Sequence, residues 1–248
     1  MGSKRRGTPI HGWLVVDKPA GMTSAGAVAK VRRLTGAAKV GHAGTLDPLA
    51  TGILPLALGE ATKTVAYVMD ESKDYHFTIR WGEARASDDG EGKVTAVSPV
   101  RPSEAEINAI LDRFTGTIDQ VPPVYSAVKV GGRRAYALAR ADAAPELQPR
   151  RVRIDRLTLI DLPDDDHARF EAVTGKGAYM RSLARDMAIA LGTVGYVWAL
   201  RRTRVGPFTE DLAISLDNVE ELGHSAALLD RLLPVETALD DIPALALT

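Results

Sequence analysis

The sequence contains no cysteine. Disulfides and thiolate chemistry are therefore excluded. Histidine is sparse, and the five present (His11, His42, His76, His167 and His224) lack the spacing of metal ligands. Long apolar runs are missing as well, and none reaches the roughly 20 residues of a membrane-crossing helix. The basic start MGSKRRGTPI is followed by no apolar core, so a secretory signal is not expected. These absences predict a metal-free cytoplasmic protein with no membrane attachment.

What is present is ordinary for a globular chain: 248 residues, 45% hydrophobic and 25% charged. That length suffices for one large domain or two small ones. The net charge of −1 hides an asymmetry. Residues 207–248 hold nine acidic residues and one basic residue, Arg231, leaving 30 basic and 23 acidic residues before them, a net of +7. The basic residues cluster at Arg150, Arg151, Arg153 and Arg156, and again at Arg201, Arg202 and Arg204. A basic body can hold a polyanion, although Arg-rich strands also serve as solvated faces.

Hydrophobic patterning predicts a short buried strand at residues 12–16 and alternating strands at 75–81 and 93–97. Further strands are expected at 124–130, 152–160, 168–173 and 195–205. Thr23 or Ser24 can cap a helix carrying Val28, Val31 and Leu34, stopped by Gly36. Ser103 and Glu106 form a capping box ahead of Ile107, Ile110, Leu111 and Phe114, with Gly116 as the stop. Residues 179–191 place Leu183, Met187 and Leu191 on one stripe. Residues 39–52, with Gly41, Gly44, Pro48 and Gly52, are expected to be largely irregular. Residues 87–90 signal a turn without the further ligands of a calcium loop. Strands follow strands, with helices intervening irregularly. This predicts an α+β fold with a mixed, mainly antiparallel sheet.

The segment richest in chemistry is GHAGTLDPLATG at residues 41–52. Pro48 holds Asp47 out of helical geometry, and glycines let backbone approach a ligand closely. Read locally, Asp47 is a turn former, while Tyr75, Tyr179 and Leu200 are core residues. Arg181 lies near the start of a helix, where the dipole disfavours a cation; that placement hints at function.

The segment 39–52 resembles the catalytic motif of the TruB family of pseudouridine synthases. Other segments match in order: GWLVVDKP with GMTS (12–24), LGEATK (58–63), KDY (73–75), PPVYSAVK (122–129), GKGAYMRS (175–182) and LRRT (200–203). The resemblance implies a pseudouridine-synthase fold and conversion of uridine 55, in the T loop of tRNA, to pseudouridine without a cofactor. By this resemblance Asp47 is the nucleophile, Tyr75 packs on the target base, and Arg181 pairs with the aspartate. His42, Tyr179 and Leu200 line the pocket or support the flipped-out loop; Lys18, Lys63 and Lys129 sit in matching motifs as substrate-binding residues. The expected partner is the T arm of tRNA, with no obligatory protein partner.

The implied reaction is an isomerisation that breaks the N1 glycosidic bond and rejoins the uracil through C5. A carboxylate can act as covalent nucleophile at the sugar C1′ or at uracil C6. The base must be extracted from a folded loop, with aromatic and apolar side chains replacing its stacking. Basic residues at 129–140 and 150–156 suit phosphate contacts. The family's usual small C-terminal RNA-binding domain is expected to be missing, so residues 1–208 form the catalytic domain with its RNA-binding insertions and 209–248 an acidic helical segment. The rival readings are a non-catalytic tRNA-binding or folding module, a guide-RNA-dependent pseudouridine synthase, and a uridine-releasing glycosylase.

Overall fold

A computed structural model describes residues 7–126, 128–135, 138, 145–223 and 225–239. The chain divides into two compact units, residues 1–73 with 201–248, and residues 74–200. Along the chain come β1 (Gly12–Lys18), α1 (Ser24–Thr35), β2 (Val40–His42), β3 (Thr51–Leu58) and α2 (Val65–Asp70). Next are β4 (Lys73–Trp81), β5 (Glu83–Arg85), β6 (Val94–Val97), α3 (Glu104–Ile110), β7 (Gly116–Gln120), β8 (Lys129–Val130) and β9 (Arg133–Arg134). Then follow β10 (Arg150–Asp164), β11 (His167–Thr174), α4 (Met180–Ala190), β12 (Gly195–Val205), β13 (Phe208–Thr209) and β14 (Ile214–Ser215). Two short helices, α5 (Leu216–Leu222) and α6 (Ala226–Leu229), lie in the acidic C-terminal stretch. No helix among the described residues is long and apolar enough to cross a membrane.

In the first unit β1 lies between β14, which is parallel to it, and β3, which is antiparallel. β3 also pairs with β2 and with residues 201–202 of β12. Its sequence TGILPLAL is buried from Gly52 onward, so it shows no alternation and escapes a period-two reading. Pro55 is tolerated here for a geometric reason. Its carbonyl accepts from Ala43 N, so its missing N–H lies on that same side and the β1–β3 ladder is unaffected. Trp13, Ile53, Val68, Val205 and Phe208 form the core of this unit, with the Trp13 and Phe208 rings 5.1 Å apart. Each such burial stabilises by about 1.5–3 kcal/mol.

In the second unit β11 lies between β4 and β10, with β7 on the far side of β10. Phe77 stacks on Phe170 at 5.3 Å, and Trp81 meets the same ring edge-on. α4 turns Leu183, Ala184 and Met187 inward.

The sheet is mixed and mainly antiparallel, as the element order predicts. Thr23 caps α1 by accepting from Gly26 N at 3.0 Å, and Gly36 ends it in the left-handed region. The Ser103–Glu106 capping box is formed. Residues 39–52 are largely irregular, as their glycines imply: 43–50 form a loop between β2, which pairs with the end of β3, and the start of β3. One expectation is corrected. The strand expected at 124–130 shrinks to β8, since residues 124–126 form a bend; residue 127 lies outside the described residues.

Candidate active site

Asp47 stands half-buried in the loop between β2 and β3 of the first unit. The loop is rich in glycine and proline, yet its backbone is tied down nearly residue by residue. Ser24, at the start of α1, is 3% exposed, and its hydroxyl both accepts from Leu46 N (2.8 Å) and donates to Leu46 O (3.0 Å). Asp47 O accepts from Ala50 N at 3.1 Å. Pro48 O accepts from Gly21 N at 2.8 Å and from Lys18 Nζ at 3.3 Å. The GMTS motif at residues 21–24 thus supports the aspartate loop directly. Backbone groups satisfied this densely leave the loop few alternative conformations.

Lys18 is fully buried, and its ammonium also donates to Pro19 O (2.7 Å) and Met22 O (2.8 Å). Its ammonium thereby ties together carbonyls on both sides of the aspartate loop's support. Lys63 is 71% exposed and paired with Glu60. His42 ends β2, half-buried, with Nδ1 buried and lacking a hydrogen-bond partner among the described residues. Burial, and secondarily the Arg202 guanidinium, pushes its pKa below the ordinary histidine value, so its neutral form is favoured.

The second unit carries Tyr75, Arg181, Tyr179 and Leu200. Tyr75 on β4 and Leu200 on β12 are buried. Tyr179 is the N-cap residue of α4, and Gln120, itself buried, braces it: Tyr179 N donates to Gln120 Oε1 (2.8 Å) while Gln120 Nε2 donates to Tyr179 O (3.1 Å). Arg181 is 4% exposed, so it is no surface ion pair. Its Nη1 donates to Ser87 O (3.1 Å) and lies 3.4 Å from Asp89 Oδ2; its Nη2 donates to Tyr125 O (3.0 Å). One turn on, Arg185 donates to Asp88 Oδ2 at 2.8 Å. Asp88 has a positive φ, and burial raises its carboxyl pKa against the pull of Arg185. Lys129 belongs to β8, but its side chain lies outside the described residues.

Sequence reading treated residues 87–90 as a turn and missed the charge pairing of Asp88 and Asp89 with α4. The available signal was two successive aspartates matched by arginines four residues apart on one helix face. Ser24, Gln120 and Arg202 were missed because nothing local distinguishes them. The two arginine clusters also separate. Arg150 and Arg151 are exposed and have no ion-pair partner among the described residues. Arg201 bridges Asp17 and Glu210, and Arg202 is buried, so this second cluster is turned to structure.

Residues 32–180 match the model described as TruB family pseudouridylate synthase (N terminal domain), and residues 181–240 match the tRNA pseudouridylate synthase B C-terminal domain. A tRNA pseudouridine synthase B of Rhodospirillum rubrum is 61% identical over 248 residues, covering 100% of this chain and 80% of the relative. One of Bradyrhizobium diazoefficiens is 61% identical over 244 residues, covering 96% of this chain and 71% of that one. Among solved structures, a Cbf5-Nop10-Gar1 complex contains a chain with TM-score 0.71 and 28% identity, covering 92% of this chain. This chain spans 61% of that longer one. The fold is therefore the pseudouridine-synthase fold. Two family models in succession and high identity over nearly the whole length agree: the chain belongs to the TruB family of pseudouridylate synthases.

Proposed function

We propose that this pseudouridine synthase acts on tRNA, converting uridine 55 of the T loop, with Asp47 as the nucleophile. The observation that carries the reading is the Asp47 loop: a half-buried carboxylate on a backbone held by Ser24, Lys18 and Gly21. Such preorganisation suits a group that must attack one atom of a bound nucleotide. Relatives 61% identical carry the name tRNA pseudouridine synthase B, which supports tRNA as substrate.

In the proposed reaction the Asp47 carboxylate adds at C1′ or at uracil C6, the N1–C1′ bond breaks, the uracil turns, and a C5–C1′ bond forms as the bond to Asp47 is released. The proton leaving C5 is balanced by one gained at N1, so no cofactor is consumed. Tyr75 stacks on the extracted base, and Tyr179 and Leu200 shield it from water. Arg181 supplies permanent positive charge, which favours ionised carboxylate. His42 faces the bound loop in its neutral form. Lys63, Lys129, Arg150 and Arg151 contact phosphates.

Asp47→Asn tests the assignment. It should abolish pseudouridine formation in an unmodified tRNA transcript while tRNA affinity stays within a few-fold, because shape is kept and one carboxylate oxygen is lost. Activity within tenfold of the parent would remove Asp47 from the role. A second reading, work within a ribonucleoprotein, draws on the likeness to a chain solved with Nop10 and Gar1. Turnover of the naked transcript by the isolated chain decides against it.

A further inference from the structure

The LRRT motif supplies Leu200 to the expected pocket and leaves its second arginine without a role. Arg202 is 1% exposed. A cation removed from water is ordinarily matched with a carboxylate, yet among the described residues none pairs with Arg202. Its guanidinium is spent on three backbone carbonyls: Nε to Ile53 O (2.9 Å), Nη1 to Thr45 O (3.3 Å) and Nη2 to Gly44 O (3.2 Å). Gly44 and Thr45 precede Asp47, and Ile53 follows it. One rigid planar fork therefore joins the two ends of the aspartate loop.

The backbone of the same residue acts on that loop too. Arg202 is in parallel register with Gly52, and a Cβ on Gly52 would stand 2.1 Å from Arg202 O. Inside the closed loop, Ser24 holds Leu46, the residue immediately before Asp47. We infer that Arg202 is a positioning residue for the Asp47 carboxylate: its guanidinium staples residues 44 and 45 to residue 53 and so fixes where the nucleophile points. The inference rests on the reading of Asp47 as nucleophile. Burial first, and this guanidinium second, lowers the pKa of nearby His42.

Arg202→Lys is the decisive variant, because it keeps the charge but cannot span three carbonyls in one plane. Single-turnover pseudouridine formation at saturating enzyme, tRNA affinity and amide hydrogen exchange of residues 43–50 are measured together. The expected result is a rate at least thirtyfold below the parent, affinity within threefold, and faster exchange at Leu46 and Ala50 with β1 and β3 unchanged. A folded Arg202→Lys enzyme within threefold of the parental rate overturns the inference, as does a loss carried wholly by affinity. Ser24→Ala, which leaves Arg202 and the core intact, should slow the same step about tenfold; a parental rate there shows that the loop needs no restraint and also overturns it. Asp47→Asn is run beside them. If it stays active, both the nucleophile reading and this inference fall; if it is dead while Arg202→Lys and Ser24→Ala run at parental rate, only this inference falls.

Discussion

Arg202 in one unit and Arg181 in the other are buried to nearly the same degree, 1% and 4% exposed, but their surroundings differ in kind. Among the described residues Arg202 meets carbonyl oxygens alone, whereas the partners of Arg181 include two carbonyls and the Asp89 carboxylate. Carbonyls carry no titratable charge, so they hold a guanidinium in place without depending on another group's protonation. A carboxylate adds a strong, directional attraction, and its removal leaves a buried charge exposed to the full desolvation cost. The first arrangement suits a fixed anchor; the second suits a charge whose strength is set by its neighbours. The lesson is that a buried arginine is not one kind of site, and its partners decide what a substitution will reveal.

The comparison is broken most severely at Gly52. Its φ is +101°, and an added Cβ would fall 2.1 Å from the Arg202 carbonyl oxygen. Gly52→Ala should lose more than about 4 kcal/mol in denaturant titration, because backbone strain and a backbone clash combine. Gly177 in the other unit also has positive φ, +85°, but nothing lies within 4 Å of an added Cβ. Gly177→Ala should therefore lose only the conformational part, about 1–2 kcal/mol. Equal losses would show that the crowding at Arg202 relaxes freely.

Asp89→Asn sharpens the contrast at an intermediate level. It removes a buried counter-charge of Arg181 while keeping shape, so it should cost about 3 kcal/mol in stability. Single-turnover rate should fall about tenfold with tRNA affinity little changed. A parental rate would mean that Asp89 serves folding alone. No equivalent substitution exists for Arg202, since its partners are main-chain atoms.

The smallest effect is expected at His42. Its folded-state pKa lies below the unfolded value of about 6.5, so below that pH the unfolded chain binds more protons and stability falls as pH drops. His42→Gln should flatten the decline between pH 6.5 and the lowered folded pKa, read from melting temperatures across that range. Asp88 has the opposite sign: its raised pKa makes its contribution disappear as pH climbs above 3.8 through the folded value. An unchanged slope in His42→Gln would assign the acid sensitivity to other groups.

Much of this protein is written locally. Alternation from Tyr75 to Trp81, the Thr23 cap with its Gly36 stop, and the Ser103–Glu106 box each place an element, because burial period and terminal hydrogen bonds are short-range properties. The ordered motifs around Asp47, Tyr75 and Arg181 likewise suffice to identify the family. Tertiary structure alone decided that TGILPLAL is a strand, since burial of both faces erases the alternation that would announce it. It also decided what the buried charges do. Arg202 stands 149 residues from Ile53, and Arg181 stands 94 from Ser87. No local pattern links such pairs. A buried cation takes whatever oxygens strand pairing and helix packing bring to it, and desolvation makes that choice binding once the chain has closed around it.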